Sequence, residues 1–282
     1  MKKILLLIAV AGLLMGTVSC GDDDDRPVRT VFTVNTPMIN HMVNVDGESV
    51  IGIASTYNKL TIDTVKHTAS LDLTYNDGTE HTLYLKDITA TPKRLRFYEL
   101  SAPATDQIKE FSGYVDFNEG GSMRYHYVTD NGIRVISTMP EVFFLKTHNT
   151  ITYDDTTAAS ISDNTMYEFN ITPANMTATI KVMQIVHAKD LKNFNYIIAN
   201  NVPITVTPNG YTISATDLKT NAEYIFYNDS TGSSVKKTNN YPFKVFNAVI
   251  DLANDRLEAT YMIGGSATVV ATGKTYPDYT AY

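Results

Sequence analysis

The 282-residue chain has one cysteine and no tryptophan. A single Cys excludes an intrachain disulfide framework and any cysteine-rich zinc site. No apolar run reaches the roughly 18 residues that a membrane-spanning helix requires. Positive charge is scarce: 23 Lys and Arg against 30 Asp and Glu leave a net charge of −7, which argues against a general nucleic-acid binder. Catalytic signatures are missing too, with no GxSxG elbow, phosphate-binding loop, dinucleotide fingerprint or HExxH pair. What is plentiful is 37 Thr, 22 Val, 22 Ile, 18 Tyr and 11 Phe. These side chains are stiff at χ1 or flat and bulky, and they suit a pleated, half-buried surface. The composition therefore points to an all-β protein.

The first residues read as an export signal. Lys2 and Lys3 precede a twelve-residue apolar run, Ile4 to Met15, long enough for a signal core and too short to span a membrane. Small residues follow, and then Cys20. This resembles the bacterial lipoprotein signal, in which cleavage precedes a Cys that is then acylated; Thr17 departs from the usual Leu three residues before it. The acidic run Asp22, Asp23, Asp24 and Asp25 resembles the surface-export signal of Bacteroidetes lipoproteins. The expected organisation is a signal peptide over 1–19 and a lipidated Cys with its acidic tether over 20–26. The expected address is the outer membrane, lipid-anchored and facing the cell exterior. Acyl chains alone hold such a protein, at about 0.8 kcal/mol per buried CH₂.

The remainder contains an internal repeat. Lys59 to Leu73 aligns with Glu168 to Val182 without a gap, placing Leu60 on Phe169, Ile62 on Ile171, Leu71 on Ile180 and Leu73 on Val182. The apolar positions alternate, as strands require. Downstream, Tyr114 to Phe117 matches Val249 to Leu252, and Met123 to Tyr127 matches Leu257 to Tyr261. Asn131-Gly132 and Gly264-Gly265 suit tight hairpin turns. The second copy carries extra residues, assigned to Ile185 to Asn195, with a helical turn near Ala188 to Asn193, and to a loop over Thr220 to Asn240. The reading is two homologous antiparallel meander units, domain 1 over 27–150 and domain 2 over 151–282. A polar linker is expected over His148 to Asn164, and each unit is a sandwich or a small up-and-down barrel.

Short motifs in the second copy, Tyr167 to Ile171, Met176 to Thr179, Val202 to Ile204, Gly210 to Ala215 and Val269 to Gly273, resemble the calycin-like β-barrel lipoproteins of Bacteroidetes. That resemblance implies a fold and a location and offers no catalytic residues.

The six histidines show no ligand spacing. His67 and His81 flank a predicted hairpin and are expected as exposed residues within possible reach of each other, one ligand short of a zinc site. His126 faces away from Tyr125 and Tyr127 on an alternating strand. Asp116 recurs as Asp251, which suggests a shared turn-capping job. Asp-(Ser/Thr) triplets resembling Bacteroidetes O-glycan acceptors put Thr64, Thr156 and Ser230 forward as modification sites. No metal or cofactor is expected.

The leading reading is a non-enzymatic surface lipoprotein that binds a glycan or a protein through its β domains. Three others stand beside it: a pilus or envelope subunit exchanging edge strands, a carrier of small apolar ligands inside a barrel, and an accessory hydrolase with two converging acids.

Overall fold

The structure is a computed structural model that describes residues 30–46, 49–75, 82–94, 96–117, 122–154, 159–187, 192–228, 230–264 and 267–274. Cys20, the acidic run, Thr156, His81 and the C-terminal tyrosines lie outside them.

Eight strands form the first unit: β1 (Val31–Asn44), β2 (Val50–Asp63), β3 (Thr68–Tyr75), β4 (Thr82–Arg94), β5 (Phe97–Ala102), β6 (Ile108–Asp116), β7 (Ser122–Thr129) and β8 (Ile133–Thr138). Each pairs antiparallel with its sequence neighbour, and β8 returns to β1, so the sheet closes as an up-and-down barrel. Closure removes every free edge, a liability that a sandwich retains. Alternation dictates the inside. On β2, Thr56, Asn58, Leu60 and Ile62 are buried while Tyr57 and Lys59 are exposed. The interior is filled by Leu60, Leu71, Leu85, Leu100, Phe111 and Tyr125, among others. Each such burial contributes about 1.5–3 kcal/mol.

Eleven strands form the second sheet: β9 (Glu141–Tyr153), β10 (Ala159–Thr172), β11 (Thr177–His187), β12 (Lys192–Pro203), β13 (Thr205–Thr207), β14 (Gly210–Leu218), β15 (Asn221–Asn228), β16 (Ser233–Asn239), β17 (Phe243–Asp251), β18 (Arg256–Ile263) and β19 (Ala267–Lys274). A single 3₁₀ turn, Pro173–Asn175, joins β10 to β11. Register reduces the eleven strands to eight runs. Thr216 faces Val245 and Ala222 faces Asn239, six residues on along one chain and six back along the other, so β14–β15 and β16–β17 are two long paired strands. Only Ile204 separates β12 from β13, which pairs with β14. The sheet thus curls round from β9 to β13 and β14, and the β15–β16 hairpin extends past the barrel wall.

The β2–β3 and β10–β11 hairpins share one register: Leu60 faces Leu71 as Phe169 faces Ile180. Inside the barrels a polar layer recurs at matching positions. In the first, Asn40 Nδ2 donates to Thr56 Oγ1 at 2.8 Å and Asn58 Nδ2 to the Tyr125 hydroxyl. In the second, the Tyr167 hydroxyl donates to Asn149 Oδ1 at 2.5 Å and bonds the Tyr261 hydroxyl at 2.7 Å.

Three sequence expectations change. The 150/151 division falls within β9, which pairs with β10 and β19, so the chain passes between units at Met139 and Pro140. The polar stretch over His148 to Asn164 is largely strand. Its Asn149 is buried, its amide donating to Thr147 and to the Ser162 carbonyl, so polar composition there served the barrel interior rather than a linker. The Thr220 to Asn240 loop is the β15–β16 hairpin: β15 pairs with β12 and buries Ala222 and Tyr224, while β16 is mostly polar and exposed throughout, so hydrophobic periodicity does not register it. Of the helical turn expected near Ala188 to Asn193, residues 188–191 lie outside the described residues, and β12 begins at Lys192.

Candidate functional site

The barrel interiors offer no evident site. Bulky side chains fill them, contrary to the apolar-carrier expectation, and two shallow depressions lie on outer sheet faces instead. Among the described residues no three His, Cys, Asp or Glu cluster as metal ligands.

The first depression, about 420 Å³, crosses the outer face of β2, β3 and β4. Pairing builds it. Lys59 faces Asp72, which faces Tyr84, and Thr61 faces Ser70 in the adjoining row. The short Thr61 and Ser70 leave the depth between the longer side chains around them. Tyr57, outward on β2, and Tyr84 are 50% and 51% exposed, which is much for aromatic rings. The Lys86 ammonium stands 5.3 Å from the Tyr84 ring centroid, within cation–π range. Asp87, at φ 58°, takes up the extra β4 residue where the ladder slips between Ala69 and Leu71, and so sets Tyr84 opposite Asp72. Asp72 Oδ1 is buried and no described group hydrogen-bonds it. Such an acceptor costs about 1–3 kcal/mol until something donates to it.

The second depression lies over β17, β18 and β19. Asn247, Val249, Glu258, Thr260, Val270 and Thr272 project there, none of them aromatic.

A cluster of titratable residues meets at the seam between the units. Outward positions on β1, β8 and β7 form a row His41–Ile136–His126, flanked by Arg134 on one side and Arg124 on the other. The second unit covers this plate. Arg124 Nη1 donates to the Leu252 carbonyl at 3.3 Å and forms an ion pair with Asp255. Arg134 Nη2 donates to the Pro208 carbonyl at 3.2 Å and to Asn209 Oδ1 at 3.3 Å. The His41 and Tyr211 rings lie 5.9 Å apart, and Ile39 and Ile136 join the second unit's apolar core. Burial, aided by the Arg134 charge, pushes His41 down to about 4. Burial followed by the Arg124 and Arg134 charges does the same to His126. At the matching β18 positions Glu258 and Thr260 are exposed, so the seam alone accounts for the burial of Arg124 and His126.

Sequence-selected residues end in varied places. Thr64 lies in the β2–β3 turn, its hydroxyl donating to the Thr30 carbonyl at 3.0 Å. Asp63 caps that turn by accepting from the Val65 and Lys66 amides. Ser230 is exposed at the β15–β16 tip. His67 lies in the β2–β3 turn at a positive φ of 54°, and its expected neighbour His81 lies outside the described residues. His126 faces out from the barrel, as alternation requires, yet the seam partly covers it. Asp251 accepts from the Asn254 amide at 3.0 Å and from its side chain at 2.8 Å. The Lys59–Asp72–Tyr84 grouping escaped sequence reading because only cross-strand register joins the three. Tyrosines outward on neighbouring strands were the available signal.

No family model matches the sequence, and no curated protein matches it. Among solved structures, intact Ap-TbpB (N and C lobes) superposes with a TM-score of 0.24 at 6% identity, over 86% of this chain and 76% of that one. A score that low identifies no shared function.

Proposed function

We propose that this chain is a non-enzymatic, lipid-anchored binding protein displayed on the outer membrane of a Bacteroidetes-type cell. Cys20 is the acylated residue, Asp22 to Asp25 the export signal, and 27–150 and 151–282 approximate two homologous β domains. The observation that carries the binding role is the groove over β2–β4, with the exposed Tyr84 ring and an unsatisfied carboxylate oxygen on an otherwise ordinary sheet face. Among the described residues it contains one carboxylate, whereas glycoside hydrolysis needs a pair, which favours binding over cleavage. Thr64, Thr156 and Ser230 remain proposed glycan acceptors.

Protease treatment of intact cells tests the display. The mature chain should be shaved from living cells, and Cys20→Ala should abolish both labelling by radioactive palmitate and surface signal. A chain protected in intact cells and degraded only after lysis refutes the surface address. One observation favours the subunit reading: β16 is an open edge with all seven residues exposed. Lys236 and Lys237 on it are of the kind that blunts edge pairing. Light scattering separates the two, since an assembly subunit forms concentration-dependent polymers.

A further inference from the structure

Granted that binding role, the geometry points to a neutral oligosaccharide as the ligand of the β2–β4 groove, stacked on Tyr84 and hydrogen-bonded through Asp72 and Lys59. A sugar ring presents an apolar C–H face and a rim of hydroxyls that both donate and accept. The groove mirrors that division. Tyr84, half exposed, supplies flat apolar surface with a polar tip, the arrangement that suits a ligand wet at one edge. Asp72 Oδ1 is an acceptor without a donor, and a vicinal diol brings two O–H groups to one carboxylate. Lys59, across the ladder from Asp72, donates to a neighbouring hydroxyl, and Thr61 and Ser70 do either.

Charge narrows the class. Asp72 with Lys59 beside it and Lys86 over the Tyr84 ring puts both signs of charge around the groove, which favours a neutral ligand over a strongly charged one. The volume lies within the range of small-ligand sites, and the groove is shallow and open, which suits an internal stretch of a chain rather than an enclosed monosaccharide. The depression over β17–β19 is the internal contrast: valines, threonines and a glutamate with no aromatic ring.

The test uses the full mature chain and four neutral probes, maltohexaose, cellohexaose, xylohexaose and mannohexaose, by isothermal titration calorimetry. At least one is expected to bind. Tyr84→Ala and Asp72→Asn should each weaken that binding about tenfold or more, Tyr84→Phe should largely retain it, and Val270→Ala in the contrasting depression should not change it. All four substitutions lie on outer sheet faces, and circular dichroism with a melting curve verifies folding. Silence from every probe overturns the saccharide assignment and leaves the surface-display experiment to judge the wider role. Binding that Tyr84→Ala and Asp72→Asn leave intact overturns the site while keeping the saccharide.

Discussion

Acidification should loosen the seam between the two units, and the effect can be sized. His41 is fully buried on β1, with Arg134 beside it on β8 and Tyr211 of β14 across the seam; His126 on β7 stands near Arg124 and Arg134, and Asp255 is the carboxylate paired there. His41 is held at about 4 in the folded protein against an ordinary 6.5. The folded state therefore binds fewer protons than the unfolded one between those values. The His41 contribution is complete above pH 6.5 and lost as pH falls toward 4. From pH 7.5 to pH 5.0 the loss is about 2 kcal/mol for His41. His126 moves the same way, and its partial contact with solvent makes its share smaller. Urea unfolding at the two pH values measures the sum. Carboxylates titrate as well, so the informative quantity is the difference between the native chain and His41→Gln or His41→Leu. Either variant should lose about 2 kcal/mol of the pH dependence whatever its absolute stability. An unchanged pH slope in both would refute the argument that the seam holds a neutral imidazole.

Removing either partner of the Arg124–Asp255 pair should have unequal cost. Asp255→Asn, which tolerates the left-handed φ of 55°, leaves a buried guanidinium without its counter-charge and should cost about 3–5 kcal/mol. Arg124→Met leaves a partly exposed carboxylate that water can solvate and should cost less; equal losses in urea titrations would contradict this. Gly113→Ala should destabilise by about 1–3 kcal/mol or more, because a Cβ there would lie 2.4 Å from the Arg124 carbonyl oxygen on the paired strand; an unshifted melting temperature would contradict the strand spacing. If the glycan triplets are used, intact-mass analysis should find occupancy at exposed Ser230 above that at Thr64, whose hydroxyl is already donated to Thr30; the reverse order would count against accessibility as the selector.

The β2–β3 and β10–β11 hairpins were legible in sequence because alternation fixes which residues turn inward, and one slip would reverse every face. Leu60, Ile62, Leu71 and Leu73 needed no partner to be assigned to the core. Polar strands were not legible. Asn149 read as linker, yet like Asn40 and Asn58 it sits inside a barrel and bonds to a Tyr or Thr side chain there. The β16 half of the β15–β16 ladder read as a loop for a related reason: its register continues that of β17, while Val235 is its one apolar side chain.

The sequence by itself determined the class of the fold, the inward face of most strands and, through Cys20 and four aspartates, the expected address. Those properties are local, carried by periodicity and by motifs that contiguous residues complete. Tertiary structure alone decided that the first sheet closes on itself, that Arg124, Arg134, His41 and His126 form a covered seam, and that Lys59, Asp72 and Tyr84 share a groove. Each of these depends on the register between strands or on which outer face meets another unit. The free energy that settles them is spread over many weak contacts between residues distant in the chain, and no short stretch encodes it.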